Sequence, residues 1–190
     1  MPLPKIFHLH GNVRVSYCSN CKLSLLRASV CPTCSKEVTP TQLLYPVHNK
    51  NYASDGFVST QWDAVRSFVS RAAYITIFGY SAPDTDQEAM QIFTEAWKGE
   101  YSEKIVNRVE IIDIADFDEL CRKWDPFAHH GHYQIRRNFF ESSLARYPRR
   151  TCEALAHSGF LGQVVENIPW AGSLAGLQES IKELLAHEPE

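Results

Sequence analysis

Two cysteine pairs constrain this chain more than any other feature. Cys18-Ser-Asn-Cys21 is followed, after nine residues, by Cys31-Pro-Thr-Cys34. Each C-x-x-C turn is tight enough to aim two thiolates at one ion. Four thiolates in a tetrahedron favour zinc. The competing readings are two disulfides or four separate buried thiols, and the spacing favours a metal over both. A four-cysteine site has no open position for water or substrate, so zinc here is expected to be structural. Residues 13–38 are therefore read as a small zinc ribbon.

The remaining composition bounds the fold class. With 190 residues the chain can build one good core or two small lobes. Its net charge of −3 provides no overall basic field for nucleic acid. No apolar run approaches membrane-spanning length, and Met1-Pro-Leu-Pro-Lys5 does not read as a signal peptide. Paired cysteines then fit metal ligation in a reducing cytoplasm, and a cytoplasmic location is expected. Cys121 and Cys152 lie in helical patterns and read as small core residues.

Taken in order, Lys5–Leu9 reads as a short strand, and Val13–Tyr17 as an alternating strand that runs into the first cysteine pair. Leu43–Val47 is a further apolar run, demoted to an edge or loop by Pro46. Phe57–Ala73 has helical spacing, with Trp62, Val65, Val69 and Ala72 on one face. Tyr74–Phe78 is a buried parallel strand closed by Gly79. Thr85-Asp-Gln-Glu88 fits a capping box for a helix carrying Ala89, Ile92, Phe93, Ala96 and Trp97, which Gly99 closes. Val109–Ile114 is the next buried strand, which completes a parallel crossover unit. Beyond residue 115 the pattern turns helical. Helices are expected over Asp116–Trp124 (ended by Pro126), Tyr133–Arg146, Pro148–Ala156 (stopped by Ser158-Gly159) and Ser173–Ala186. The fold class is α/β: a partial Rossmann-like parallel sheet, an inserted four-cysteine ribbon and a helical tail. The division falls into residues 1–115 and a helical extension, 116–190.

Open parallel sheets place ligands at the carboxyl ends of their strands. The Gly79–Asp86 loop and the strand end at Asp113 are the candidates, Asp113 as an acceptor for ribose hydroxyls. The plainer readings are a turn at Gly79 and Pro83 and a polar edge residue at Asp113. His10, before Gly11, is a candidate general base, because an imidazole titrates near neutrality. The plainer reading is a structural histidine, alternating with His8 on one strand face.

In this order, these residues resemble the sirtuin family, especially its divergent bacterial branch, over roughly residues 4–115. His8-Leu-His-Gly11 resembles the catalytic His-Gly. The two C-x-x-C pairs resemble the zinc ribbon, with a shorter spacer than typical. Ile77-Phe-Gly-Tyr-Ser81 resembles the strand and Gly-Thr-Ser loop that contacts the cofactor, with Tyr80 in place of Thr. Ile111-Ile-Asp113 resembles the strand whose terminal Asn holds adenosine, with Asp in its place. The resemblance implies cleavage of the nicotinamide–ribose bond of NAD, with acyl-lysine or water as acceptor. His10 would take a proton from a ribose hydroxyl. Gly79 and Ser81 would line the cofactor cleft, Asp113 would meet the adenosine end, and Cys18, Cys21, Cys31 and Cys34 would hold zinc.

The family's glycine-rich phosphate turn has no counterpart here, and no Gly-x-Gly occurs in the sequence. The expectation is thus the second half of a sirtuin-like domain, completed by a protein partner or by self-association, and enzymatic activity is left open. The alternative is a non-catalytic zinc-binding interaction module, since a half sheet exposes an edge and an apolar face. A third reading gathers Arg136, Arg137, Arg146, Arg149 and Arg150 with His129, His130, His132 and Tyr133 into a phosphate or nucleic-acid surface. Against it stands a solvated helix face in an acidic chain, the preferred reading.

Overall fold

The computed structural model describes residues 5–44, 52, 55–83, 86–98, 108–128, 133–148, 150–162 and 172–186. The chain forms two compact units, residues 2–70 with 83–99, and residues 71–82 with 100–190.

The first unit carries the ribbon. Strands β1 (Val15–Cys18), β2 (Leu23–Leu26) and β3 (Thr39–Pro40) form an antiparallel sheet in the order β2-β1-β3. Pro40 sits on the outer strand, where its missing N–H costs the ladder nothing. Helix α1 (Gly56–Arg71) follows. Asp55 caps it: Oδ1 accepts from the N–H groups of Phe57 and Val58 at 2.9 and 3.0 Å, while Oδ2 accepts from Gln42 N–H at 3.1 Å. The buried core joins Tyr17 of β1 and Tyr52 to Phe57, Val58 and Trp62 of α1. Helix α2 (Gln87–Lys98) adds Ala89 and Ile92 to the same core, from the apolar face its sequence periodicity predicts. The expected capping residue Thr85, the closing Gly99 and the 45–47 part of the Leu43–Val47 run lie outside the described residues.

Lys5–Leu9 is not a strand. Its backbone groups find side chains in place of a ladder. His8 N–H donates to Gln61 Oε1 at 3.2 Å, and the Leu9 carbonyl accepts from Trp62 Nε1–H at 3.0 Å. Gly11 N–H then closes a turn onto the His8 carbonyl at 3.2 Å. His8 and His10 therefore share no strand face.

The second unit holds a three-stranded parallel sheet, β4 (Tyr74–Phe78), β5 (Arg108–Ile112) and β6 (Tyr133–Arg136), in that order. β6 corrects the helix expected over Tyr133–Arg146. Tyr133 and Ile135 pair in register with Val109 and Ile111, so the β-formers extend an existing apolar sheet face. Asn138 and Ser142 then cap a 3₁₀ turn (Phe139–Glu141) and the short helix α4 (Ser143–Arg146), and this breaks the supposed long helix. The sheet thus crosses residue 115, and its third strand comes from the segment read as a helical extension.

Helix α3 (Phe117–Ala128) runs past its expected end at Trp124, with Pro126 inside. The lost backbone bond costs about 3 kcal/mol. Continuing the helix buries Phe127 and Ala128 beside Trp124, and a buried Phe alone contributes about 1.5–3 kcal/mol. Helix α5 (Thr151–Ala156) continues as a π turn through Leu161 and stops at Gly162, beyond the expected Ser158-Gly159 stop. Helix α6 (Leu174–Ala186) matches its periodicity and buries Leu177. Cys152 is exposed and so is not a core residue; Cys121 is half-buried. No helix among the described residues is long and apolar enough to cross a membrane.

Candidate functional site

The ribbon brings its four cysteines together. One donor atom from each of Cys18, Cys21, Cys31 and Cys34 lies within 4.8 Å of the others. Cys18 ends β1, and Cys21 precedes β2 after a tight turn completed by Lys22 at φ 51°. The second turn has the same form. Ser35 N–H bonds to the Cys31 carbonyl at 2.9 Å, and Ser35 has φ 55°. An isolated bridge between Val30 and Glu37 closes its base.

Cys18 and Cys34 Sγ are 3.6 Å apart, near the edge of about 3.8 Å expected when four sulfurs surround one ion at about 2.3 Å. None of the four is disulfide-bonded. Backbone N–H groups aim at two of the sulfurs. The Cys34 N–H lowers the Cys31 pKa to about 6, and the Lys36 N–H lowers that of Cys34. Donation of the Cys21 S–H to Cys34, together with desolvation, pushes Cys21 up to about 12. Oriented N–H groups on sulfur favour thiolate, the form that binds metal. Cys18 and Cys31 are buried with Val38, and Leu23 and Leu25 pack against them. These residues fit a metal ion with no further ligand, the closed geometry of a structural centre.

His10 stands in the same unit, exposed at the head of the Gly11 turn. Its carbonyl accepts from Leu44 N–H at 2.9 Å, and its ring lies 6.2 Å from that of Tyr52. Tyr52 in turn packs on Trp62 at 4.5 Å and donates its O–H to Asp86 Oδ1 at 2.5 Å. Gly11 takes φ 89°, and a Cβ there would lie 2.0 Å from the Gln42 carbonyl oxygen. Thr41 Oγ1–H donates to the Asn12 carbonyl at 2.8 Å and locks the same crossing. The His-Gly pair is thus a close crossing of two backbones, which is why glycine follows the histidine.

Gly79, Ser81 and Asp113 belong to the second unit. Gly79 follows β4 with φ 69°, and Tyr80 packs edge-on against Trp124 at 5.9 Å. Asp113 follows β5. Its Oδ1 accepts from Ala115 N–H at 2.9 Å, and its own N–H donates to the Arg136 carbonyl at 3.1 Å. Because β4 and β5 are parallel and in register, Gly79, Ser81 and Asp113 share the carboxyl edge of that pair.

The arginines read as one surface separate, and among the described residues only Arg136 and Arg146 line a common cavity. Arg137 donates to the Ile114 and Ala115 carbonyls, and Arg150 pairs with Glu153 at 2.8 Å. Arg136 turns to the buried Glu110. His129, His130, His132 and Arg149 lie outside the described residues. Sequence reading missed Glu110, Asp55 and Asp86. The first offered a signal: a charged residue at the centre of an apolar strand.

No family model matches the chain, and no curated protein matches it. Among solved structures it is similar to a Sir2 homolog–NAD complex, with 18% identity and a TM-score of 0.33, over 70% of this chain and 46% of that one. It is similar to a complex of Sir2 with a p53 peptide and NAD+ at 17% identity and a TM-score of 0.29, over 62% of this chain and 48% of that one. A structure of Sir2 bound to acetylated peptide shares 16% identity at a TM-score of 0.30, over 62% and 48%. The chain therefore spans about half the length of the solved structures it matches.

Proposed function

We propose that this chain is a zinc-containing, sirtuin-like protein related to NAD-dependent deacylases and NAD hydrolases. The observation that carries the reading is the shared carboxyl edge of β4 and β5, where Gly79, Ser81 and Asp113 stand in the order the sirtuin resemblance requires. Edges of this kind are where parallel sheets take nucleotides. The thiolate cluster supports the same reading, with zinc as the ion that four cysteines select.

In this reading His10 accepts a proton from a ribose hydroxyl, which its exposed ring and anchored backbone allow. The Gly79 backbone admits close approach of the cofactor, Ser81 offers a hydroxyl, and Asp113 accepts from the adenosine ribose. Bound NAD supplies the activated nicotinamide–ribose bond. A partner protein or a second copy supplies the glycine-rich phosphate turn. Acyl-lysine and water are both open as acceptors.

A non-catalytic interaction module is the second reading. Its support is that the ribbon unit exposes Val13 at 75%, Leu26 at 73% and Val30 at 49%, apolar side chains that a protein partner would cover.

The deciding experiment titrates NAD into zinc-loaded protein by calorimetry and measures nicotinamide release in the same sample. Binding lost in Asp113→Ala, with release lost in His10→Ala, is the expected result for an enzyme. Binding without release leaves the interaction module with a retained nucleotide site. No heat with about 1 mM NAD, a weak affinity of about −4 kcal/mol, would sink the stand-alone enzyme.

A further inference from the structure

The parallel sheet of the second unit has two unlike faces. Residues in register project to the same side, so Ile75, Ile77, Val109, Ile111, Tyr133 and Ile135 form one face. Tyr74, Thr76, Phe78, Arg108, Glu110, Ile112, Gln134 and Arg136 share the other, which is polar except where Phe78 and Ile112 close the carboxyl end of β4 and β5. Parallel strands are ordinarily apolar on both faces, because helices cover both. Here the polar face is not left to water. It faces α4 and α5 across a cavity of about 220 Å³, lined by Arg108, Arg136 and Arg146 together with Tyr74, Gln134 and Ser143.

Glu110 forms the base of this face and is fully buried. Its carboxyl group accepts from Ser143 N–H at 2.9 and 3.1 Å, from Ser143 Oγ at 3.3 Å and from Arg136 Nε at 3.4 Å. Tyr74 O–H donates to Ser143 Oγ at 2.7 Å, and Arg136 Nη2 donates to Gln134 Oε1 at 2.7 Å. One carboxyl group thus balances one guanidinium and holds it in place. Arg108 and Arg146 add two further arginines to the lining, which holds no acidic residue among the described residues; Glu110 lies buried behind it. Guanidinium stays charged at any ordinary pH and matches phosphate oxygens with paired donors.

We propose that this cavity binds the phosphate of a small phosphorylated molecule. Arg108 and Arg146 contact the anion, and the Glu110–Arg136 pair positions the floor. The volume lies below that of sites for drug-sized ligands, which sets the size class as a phosphate ion or a small monoester. Tyr74 and Arg108 are the first residues of their strands, whereas Gly79, Ser81 and Asp113 follow the last, so the two arginines proposed to hold the anion stand at the opposite strand ends from the edge proposed for NAD, and only Arg136, the last residue of β6, reaches toward that edge. The phosphate site does not depend on that reading.

The test titrates inorganic phosphate and methyl phosphate into the unaltered full chain, with succinate as a dicarboxylate control, and follows the amide resonances of Ser143 and Thr151. Saturable shifts at these amides are expected. Tighter binding of methyl phosphate than of the free ion identifies a monoester site, and the reverse identifies a phosphate-ion site; either supports the proposal. Arg108→Gln and Arg146→Gln should each weaken binding about tenfold or more, the effect of losing one charged hydrogen bond. Arg150→Gln, whose partner is Glu153 on the surface, should change affinity less than about twofold. Three results would overturn the proposal: no saturable shift up to about 10 mM phosphate, succinate binding as tightly as phosphate, or binding that ignores both cavity variants and follows Asp113→Ala. The amide shifts need no variant, so the outcome stands even if a substitution prevents folding.

Discussion

Gly11 carries two demands, a φ of 89° and the carbonyl of Gln42 where a side chain would begin. Left-handed backbone alone costs an ordinary residue about 1–2 kcal/mol, and the clash adds to it. Gly11→Ala should lower stability by at least about 2 kcal/mol in urea unfolding, and should displace His10 with it. Ser35 stands in the same backbone region with no such clash, so Ser35→Gly should stabilise the ribbon by about 1 kcal/mol. Tyr74 makes a pH prediction. Burial pushes its pKa up to about 12 from 10.0. A phenol whose folded pKa lies above its unfolded value contributes stability that is full below the unfolded pKa and is lost as pH rises through the folded one. Wild-type stability should therefore fall between those two values, and Tyr74→Phe should remove that part of the alkaline decline. Phenolate absorbance of the folded protein, wild type minus variant, checks it. Of these residues, His10-Gly11 was legible as a pair because a short motif is visible in sequence. The reason for its glycine was not, because the Gln42 carbonyl comes from a segment far along the chain.

At the scale of elements, the ribbon and β4–α2–β5 were readable from local chemistry: metal-ligand spacing, β-branched runs and helical periodicity. β6 was not. Tyr133-Gln-Ile-Arg136 is short, and its strand conformation depends on β5 being beside it. The expected Lys5–Leu9 strand failed in the opposite sense, since its segment is satisfied by an acceptor and a donor on α1 side chains, Gln61 and Trp62, rather than by a neighbouring strand. Two predictions belong here. Asp55→Ala removes the α1 cap and its bond to Gln42, and should cost about 2 kcal/mol in thermal or urea unfolding. Glu110→Ala leaves Arg136 and the Ser143 N–H without their acceptor. It should cost about 2 kcal/mol, because the Ser143 N–H and Arg136 Nε lose this acceptor while Arg136, partly exposed, keeps its bond to Gln134.

At the scale of the molecule, the chain is two compact units, a four-cysteine cluster in one and a parallel sheet in the other. In small metal-closed modules, metal binding free energy is folding free energy. Removing the metal with a chelator should therefore expose the amides of β1, β2 and Val38 to hydrogen exchange, while Val109 and Ile111 in β5 keep their protection. Mass-resolved exchange of the chelated and metal-loaded protein checks both halves of that statement. By itself the sequence determined the four-cysteine cluster, the parallel strands β4 and β5 and the helices α1, α2 and α6, because each rests on spacing within a few residues. Tertiary structure alone decided the third strand, the crossing that requires Gly11, and the polar sheet face around Glu110. Those features arise where residues distant in sequence meet, and no local pattern encodes which backbone or charge will stand opposite.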